Sequence, residues 1–257
     1  MSGSETANVI NIRRSLIGSC KRTVQPVLAE FVGVCLFVFI GCMASQNNVV
    51  TDVALAHGLT ITMLIIGLGA ISGGHFNPAV TLGVALVGAV EPRLALCYFI
   101  AQLLGGLLGA ALVRAVLPPN IYDSIKGGSL SVAASVEPIW ALVAETVLTT
   151  MLVSTFLLSA VNRKTKTNLS PLAIGFAVAV GIMSGGSTTG TSMNPARALG
   201  PALVSSDVVS DSFDSHYVWW VGPMLGGLVS GLLYRKLLAS SGQMWILGDR
   251  PDNICKP

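Results

Sequence analysis

The chain has 257 residues, of which 52% are hydrophobic and only 11% are charged, and its mean hydropathy is +0.73. A soluble core of this length does not need so much apolar content, so the composition predicts a membrane protein. The net charge of +3 is small and the basic residues form no long block, which argues against nucleic acid and other acidic polymers as partners.

The first 25 residues predict a cytoplasmic N-terminal tail. They contain no apolar run followed by a small-residue cleavage site, so we expect no signal peptide. Their basic residues are Arg13, Arg14, Lys21 and Arg22.

Six apolar runs are long enough to cross a bilayer, whose core of about 30 Å takes a helix of roughly 20 residues. They lie at about 26–46, 53–72, 93–116, 139–160, 169–186 and 217–238. Two further apolar segments, at about 77–87 and 194–204, are about half as long and are too short to cross. The sequence therefore predicts an all-α membrane protein with six transmembrane helices and two re-entrant half-helices.

The distribution of charge predicts the orientation. With a cytoplasmic N-terminus, the inside segments hold most of the basic residues, whereas the outside loops are mainly acidic. The inside residues are Arg13, Arg14, Lys21, Arg22, Arg93, Arg163, Lys164, Lys166, Arg235, Lys236, Arg250 and Lys256. By the positive-inside rule both termini lie in the cytosol, including a C-terminal tail at 239–257.

The two halves of the apolar region resemble each other. The stretch "LAEFVG" at 28–33 matches "LVAETV" at 142–147, and the tripeptide Asn-Pro-Ala occurs at 77–79 and again at 194–196. Three spans, an odd number, fall in each half, so the second copy enters the membrane with the opposite orientation. We therefore expect one channel domain at 26–238, built as an inverted 3+3 repeat with copies at about 26–116 and 139–238.

Each Asn-Pro-Ala predicts a helix start. Asn77 and Asn194 are favourable N-caps, Pro78 and Pro195 suit the first helical position, and Ala79 and Ala196 continue the helix. Irregular backbone at the bilayer centre is tolerated only where it is buried in protein or lines a cavity. Two such starts, entering from opposite faces, predict a pore whose positive helix ends repel cations and whose asparagine amides donate to water. Such a pore suits neutral solutes and rejects protons.

The paired motifs, with their flanks "SGGHFNPAVTLG" and "GTSMNPARALGPAL" and with Glu30 and Glu145 in the first and fourth spans, resemble the aquaporin family. The resemblance covers about residues 25–238. It implies a right-handed bundle of six helices and two half-helices, a homotetramer with one pore per subunit, and passive permeation without a cofactor.

Four residues are candidates for the selectivity filter. Arg197 lies in the apolar layer, where a charge is costly and marks function; a snorkelling arginine at a span end describes Arg114 better. His57 lies in the second span, and from the sequence alone a satisfied core histidine explains it equally well. The family resemblance implies an outer constriction formed by His57, Ile182, Thr191 and Arg197.

The candidate filter bears on which solutes pass. The pair His57 and Ile182 is similar to the aquaporin-8 and plant tonoplast groups of the family, which implies permeation of water, ammonia, hydrogen peroxide and urea. Thr191 adds bulk where the family usually has Gly or Ala. Ala198 replaces the Asp that glycerol channels usually carry, which argues against a glycerol facilitator. Ser192 replaces a mercurial-sensitive cysteine of many aquaporin-8 proteins, so we expect no mercurial block at that site.

Other polar residues in the spans have structural or functional interpretations. Glu30 and Glu145 could relay protons, but we favour a structural role as acceptors for backbone N–H groups near the half-helices, as the resemblance implies. His75 could hydrogen-bond within its loop or line the cytoplasmic vestibule. We expect the five cysteines, Cys20, Cys35, Cys42, Cys97 and Cys255, to be free thiols. Glycine faces in the third and sixth spans predict close helix packing.

Two other functions were weighed against a pore. An alternating-access transporter of a small neutral solute also favours inverted repeats and broken helices. A purely structural role in membrane junctions would leave Arg197 and His57 unexplained. No catalytic triad, metal-ligand set or phosphate-binding loop is evident, so we expect neither an enzyme nor a cofactor or metal. We expect the plasma membrane as the location, with an intracellular membrane as the alternative.

Overall fold

The computed structural model describes the backbone of residues 3–210 and 213–239 and the side chains of 23–210 and 213–239. This part of the chain is helical and contains no β-strand. Nine α-helices follow in order: α1 (Gly3–Met43), α2 (Val50–Ser72), α3 (Pro78–Leu86), α4 (Pro92–Val116), α5 (Pro119–Ser124), α6 (Pro138–Phe156), α7 (Ser170–Gly185), α8 (Pro195–Val204) and α9 (Val218–Leu233). The predicted all-α class is therefore confirmed.

Four helices in the described part are long and apolar enough to cross a membrane by length and composition. They are Thr23–Asn47, Val50–Ser72, Pro92–Val116 and Pro138–Val161. The fifth predicted span, α7, is a shorter apolar helix of 16 residues. The sixth consists of α9 and a π-helical turn at Tyr234–Leu238, which together reach the predicted end of that span. The six predicted spans thus agree with the observed helices to within a few residues, apart from the start of the first.

The first helix begins well before the predicted span. It starts at Gly3 and passes through Pro26 without ending. Apolar content identified only the part able to lie in a bilayer, because residues 3–22 include many polar and basic residues that a helix outside the apolar layer accommodates equally well.

The half-length segments are short helices, as predicted. α3 has 9 residues and α8 has 10. Among the long helices, α1 packs on α4, α6 on α9 and α2 on α7. The half-helices pack across the repeat boundary, since α3 of the first repeat lies against α9 and α8 of the second lies against α4.

Glycines make these crossings close, as their pattern predicted. A Cβ atom at Gly106 would overlap the carbonyl oxygen of Ala196, and one at Gly227 would overlap that of Ala79. The half-helices therefore contact the spans through backbone, which brings their first residues to the centre of the bundle.

Candidate functional site: a narrow cavity where two half-helices meet

The two Asn-Pro-Ala motifs start the half-helices as predicted. The Asn77 side-chain oxygen accepts the Ala79 N–H at 2.8 Å, and Pro78 is the first helical residue. The Asn194 side-chain oxygen accepts the N–H groups of Ala196 at 3.0 Å and Arg197 at 3.3 Å. The predicted N-caps are therefore confirmed.

The asparagines also bind the opposite loop. Asn77 Nδ2 donates to the carbonyl oxygen of Met193 at 2.7 Å, and Asn194 Nδ2 donates to that of Phe76 at 2.9 Å. Each amide group has two N–H bonds, so this exchange occupies one and leaves the other for the cavity that both residues line. The sequence analysis predicted donation to water but did not predict this exchange between the loops.

Glu30 accepts hydrogen bonds from the loop before the first motif. Its Oε1 accepts the Ser72 hydroxyl at 2.6 Å and the His75 N–H at 3.0 Å, and its Oε2 accepts the Phe76 N–H at 2.6 Å and Gln102 Nε2 at 2.8 Å. The carboxylate is fully buried, and these four donors compensate for the loss of water.

Glu145 makes the corresponding contacts in the second repeat. Its Oε1 accepts the Thr189 hydroxyl at 2.7 Å and the Ser192 N–H at 3.0 Å, while its Oε2 accepts the Met193 N–H at 2.8 Å. Every contact is with a donor of the loop before the motif. The geometry is that of a structural acceptor.

The loops so held contain strained backbone. Phe76 and Met193, the residues before the two asparagines, have φ values of 47° and 52°. Residues with a Cβ atom rarely adopt this left-handed backbone region, because it costs about 1–3 kcal/mol of conformational strain. Both ends of each residue are held, since the N–H binds a glutamate and the carbonyl oxygen binds the opposite asparagine. The glutamates and asparagines together therefore maintain the backbone that turns the motifs inward.

A narrow cavity lies where the motifs meet. Its volume is about 20 Å³, measured as the space open to the centre of a water molecule, which is enough for one or a few waters. Its wall is mainly apolar and includes Phe37, Phe156, Ile174 and Val178. The motifs therefore meet around a narrow cavity with few polar groups.

The candidate filter residues are divided between this cavity and a second space. His57, Ile182 and Thr191 line the central cavity, and Ile182 also lines an outer vestibule of about 310 Å³ together with Arg197. Ile182 thus stands at the junction of the two spaces. All four side chains are at least nine-tenths buried.

Three polar atoms of these residues have no hydrogen-bond partner in the described part of the chain: His57 Nε2, Thr191 Oγ1 and Arg197 Nε. His57 Nδ1 is satisfied by the Val53 carbonyl oxygen at 2.8 Å, so its ring presents only Nε2. Buried polar atoms without a partner are costly unless water or a solute satisfies them. His57 and Thr191 line the central cavity and Arg197 lines the vestibule, so the unpartnered atoms belong to residues in the walls of both spaces.

His75 lines the cavity from the first loop. Its Nδ1 lies 3.2 Å from the Thr81 hydroxyl, and its ring packs edge-on against Tyr98 and Phe156. These contacts fix the orientation of the imidazole. The ring bonds a residue of α3 and lines the central cavity, whereas the prediction placed its bond within its own loop or its side chain in the cytoplasmic vestibule.

Three contributors to the site were missed by sequence reasoning. Gln102 donates to Glu30 and to the Thr81 hydroxyl. The Gly128 carbonyl oxygen accepts Arg197 NH1 at 2.9 Å. A Cβ at Gly41 would overlap the His57 ring, so glycine is needed to seat it. Only Gln102 had a signal in the sequence, because it is a polar residue inside an apolar span. Neither glycine had one.

The described cysteines lie outside the cavity wall. Cys35, Cys42 and Cys97 are free thiols, as predicted. The side chain of Cys20 and all of Cys255 lie outside the described residues.

Comparison with known proteins agrees with this geometry. The family model "Major intrinsic protein" matches residues 19–234. The chain is 41% identical to aquaporin-8 of Mus musculus, over 97% of this chain and 100% of the relative, and 40% identical to aquaporin-2 of Homo sapiens, over 83% and 79% respectively. The solved structure of the aquaglyceroporin from Plasmodium falciparum superposes with a TM-score of 0.72, covering 84% of this chain and 97% of that chain at 24% identity. At that identity the structural likeness concerns the fold.

Proposed function

The chain belongs to the major intrinsic protein (aquaporin) family of membrane channels for water and small solutes, and we propose that it is a passive water pore that also conducts ammonia, hydrogen peroxide and urea while excluding protons and ions. The observation that carries this proposal is the water-sized cavity between the two Asn-Pro-Ala motifs, which both asparagines line.

Water conduction is supported by sparse but well-placed donors. Asn77 and Asn194 each keep one amide N–H for the cavity, and apolar side chains form most of the remaining wall. A water molecule that accepts from these amides turns its own hydrogens away along the pore. Its neighbours bind only weakly to the wall, so they pass without a deep energy minimum.

Exclusion of cations is supported by the local charges. Both half-helices present their positive N-terminal ends to the cavity, and Arg197 lines the vestibule beyond it. No carboxylate is among the described residues that line either space, because Glu30 and Glu145 point into the loops. A proton or metal ion therefore meets positive potential without a compensating anion.

The wider solute range is supported by the wall at Ile182. An isoleucine there gives the constriction an apolar group in addition to polar His57, Thr191 and Arg197. Such a mixed wall admits solutes that are slightly larger or less polar than water. Ammonia, hydrogen peroxide and urea are neutral molecules of that kind.

The same proposal includes location and assembly. We place both termini in the cytosol on the asymmetry of basic residues, and the protein in the plasma membrane as a homotetramer on the family resemblance. Labelling of single cysteines from either side tests the orientation, and mass measurement in detergent tests the assembly.

Stopped-flow light scattering of proteoliposomes under an osmotic gradient tests the proposed pore. The native protein should shrink vesicles much faster than empty liposomes, with a low activation energy and no proton leak. Ile182→Phe fills the constriction and should remove most of this flux, whereas Val180→Phe, on the exposed face of α7, should leave it unchanged. Native flux equal to that of empty liposomes would refute the water pore.

The same vesicles test the other solutes. Urea influx is followed by swelling, ammonia by an internal pH dye, and hydrogen peroxide by an oxidation-sensitive dye. A pore predicts rates that rise linearly with concentration. A rate that saturates would instead favour the alternating-access transporter.

A further inference from the structure

Two arginines bind the outer ends of the half-helices. Arg114 NH1 donates to the carbonyl oxygen of Val204, the last residue of α8, at 2.6 Å. Arg235 NH1 donates to the carbonyl oxygen of Leu86, the last residue of α3, at 3.2 Å. The expectation that Arg114 only snorkels at a span end is therefore incomplete.

The two arginines occupy equivalent positions in the repeat. Arg114 and Arg235 are 121 positions apart, and so are Tyr98 and Trp219. Tyr98 and Trp219 also make matching bonds, to the carbonyl oxygens of Ser72 and Thr189, each the hydroxyl residue that binds its repeat's glutamate. The arginine contacts thus belong to a symmetric scheme, since Arg114 and Arg235 share the spacing of Tyr98 and Trp219, a pair on the same two spans that makes matching bonds.

The contacts cross between the repeats. Arg114 lies on α4 of the first repeat and binds α8 of the second, whereas Arg235 follows α9 of the second repeat and binds α3 of the first. Each half-helix is therefore held by the repeat to which it does not belong.

The α4 and α8 pair shows the register of this arrangement. Gly106 meets the Ala196 carbonyl near the start of α8, and Arg114 meets the Val204 carbonyl at its end. Both pairs are 90 positions apart, so α4 and α8 run in the same direction. Contact at both ends fixes how far α8 slides along α4.

We propose that Arg114 and Arg235 are positioning residues that clamp the half-helices and thereby set the depth of the Asn-Pro-Ala motifs and of Arg197 in the pore. The last carbonyl oxygens of a helix have no partner within it and carry the negative end of the dipole, so a guanidinium satisfies both needs. The proposal rests on the proposed water pore, whose filter residue Arg197 lies on α8.

The two arginines differ in the side chains that contact them. Asp207 binds the Arg114 guanidinium with both oxygens at 2.6 and 2.5 Å, and the Tyr122 ring lies 5.6 Å from it. Arg235 has no acidic side chain within ion-pair distance in the described part of the chain. If the carbonyl bond is the essential contact, Asp207→Asn should have less effect than removal of Arg114.

Hydrogen–deuterium exchange of the purified full chain tests the clamp without any need for flux. Arg114→Met should speed exchange several-fold in the last turn of α8 and leave α3 unchanged, whereas Arg235→Met should do the reverse. The matched controls are Arg93→Met, at the exposed start of α4, and Lys236→Met, exposed beside Arg235; neither should change either half-helix. Unchanged exchange, or an equal rise in both half-helices, would overturn the proposal.

Solute selectivity gives the second readout. Arg114→Met should change the ratio of urea to water permeability several-fold at equal protein content, and Arg114→Lys, which retains the charge and a donor, should restore much of the native ratio. If Asp207→Asn changes the exchange rate of α8 and the permeability ratio as much as Arg114→Met does, the ion pair and not the carbonyl bond is the essential contact, and the clamp is refuted. A native chain that conducts no water would refute the proposed function alone, since the exchange pattern still decides the clamp.

Discussion

The Asn77 side chain binds the backbone of Met193 at 2.7 Å, joining two residues that are 116 positions apart in the sequence. Met193 is the residue before Asn194, and Asn194 returns the contact to Phe76 at 2.9 Å, so the two motifs bind each other's loops. One amide thus caps its own half-helix and fixes the opposite loop. The proposed water selectivity and the fold therefore depend on the same side chains.

This double role predicts the result of Asn77→Asp. The carboxylate keeps the cap to Ala79 but loses the donor to Met193, and a buried carbonyl left without its partner costs about 1–3 kcal/mol. We expect a lower melting temperature in detergent. Because a negative charge would lie at the positive helix end, we also expect cation leak in proteoliposomes.

Asn120→Asp is the matched control, since Asn120 is exposed in α5. It should alter neither melting nor leak. A leak-free, fully stable Asn77→Asp protein would show that the contact with Met193 is dispensable and that the amide does not repel cations.

Glu145→Gln tests the structural interpretation of the buried carboxylates. The two carboxylate oxygens receive three donors, and an amide group in place of one oxygen would face N–H or O–H groups with its own N–H bonds. Each donor left without a partner costs about 1–3 kcal/mol, so the melting temperature should fall markedly. Thermal unfolding of purified protein measures this directly.

The exposed Glu137→Gln, at the start of α6, is the control and should melt like the native chain. If Glu145 were instead a proton relay, Glu145→Gln should leave the melting temperature unchanged and abolish proton transport. That pattern would disprove the structural role.

The sequence predicted those features that depend on neighbouring residues. Asn77-Pro78 and Asn194-Pro195 contain their own capping and first-turn signals, so the half-helix starts agree with the structure to the residue. The spans followed from runs of apolar residues. The repeat then implied that the two starts face each other.

Contacts between distant segments were not predictable in the same way. Gln102 reaches Glu30 across 72 positions, and Gly128 meets Arg197 across 69. A carbonyl acceptor has no side-chain signature, so nothing in the composition around Gly128 indicates the contact. The contact of Arg114 with Val204 was missed for the same reason, because a position at a span end gives no sign of it.

Ile182→His tests the origin of the wider solute range. A histidine at this position would narrow the constriction and replace its apolar group with a polar one. Water flux should persist, while urea and hydrogen peroxide permeability should fall several-fold relative to water. Parallel solute assays on the same vesicles give the ratios.

Ile182→Val is the conservative control for that substitution. It keeps an apolar wall and removes one methylene, so the order of solutes should stay the same. An equal loss of all solutes in Ile182→His, water included, would indicate simple blockage and contradict a role for Ile182 in discrimination.

Ser192→Cys should make the pore sensitive to mercury. Ser192 lines the central cavity, whereas Cys35, Cys42 and Cys97 do not. A thiolate-bound mercury ion beside Asn194 would obstruct a cavity that admits only one or a few waters, so HgCl₂ should stop most water flux in the variant and a reducing thiol should restore it. Ser184→Cys, on the exposed face of α7, places a thiol away from the cavity and should remain insensitive.

Strong inhibition of the native protein that survives replacement of all five cysteines with serine would contradict the prediction, because mercury would then act without a thiol. Inhibition of the native protein that disappears with Cys35, Cys42 or Cys97 would instead point to an effect on helix packing, since those side chains lie outside the cavity wall.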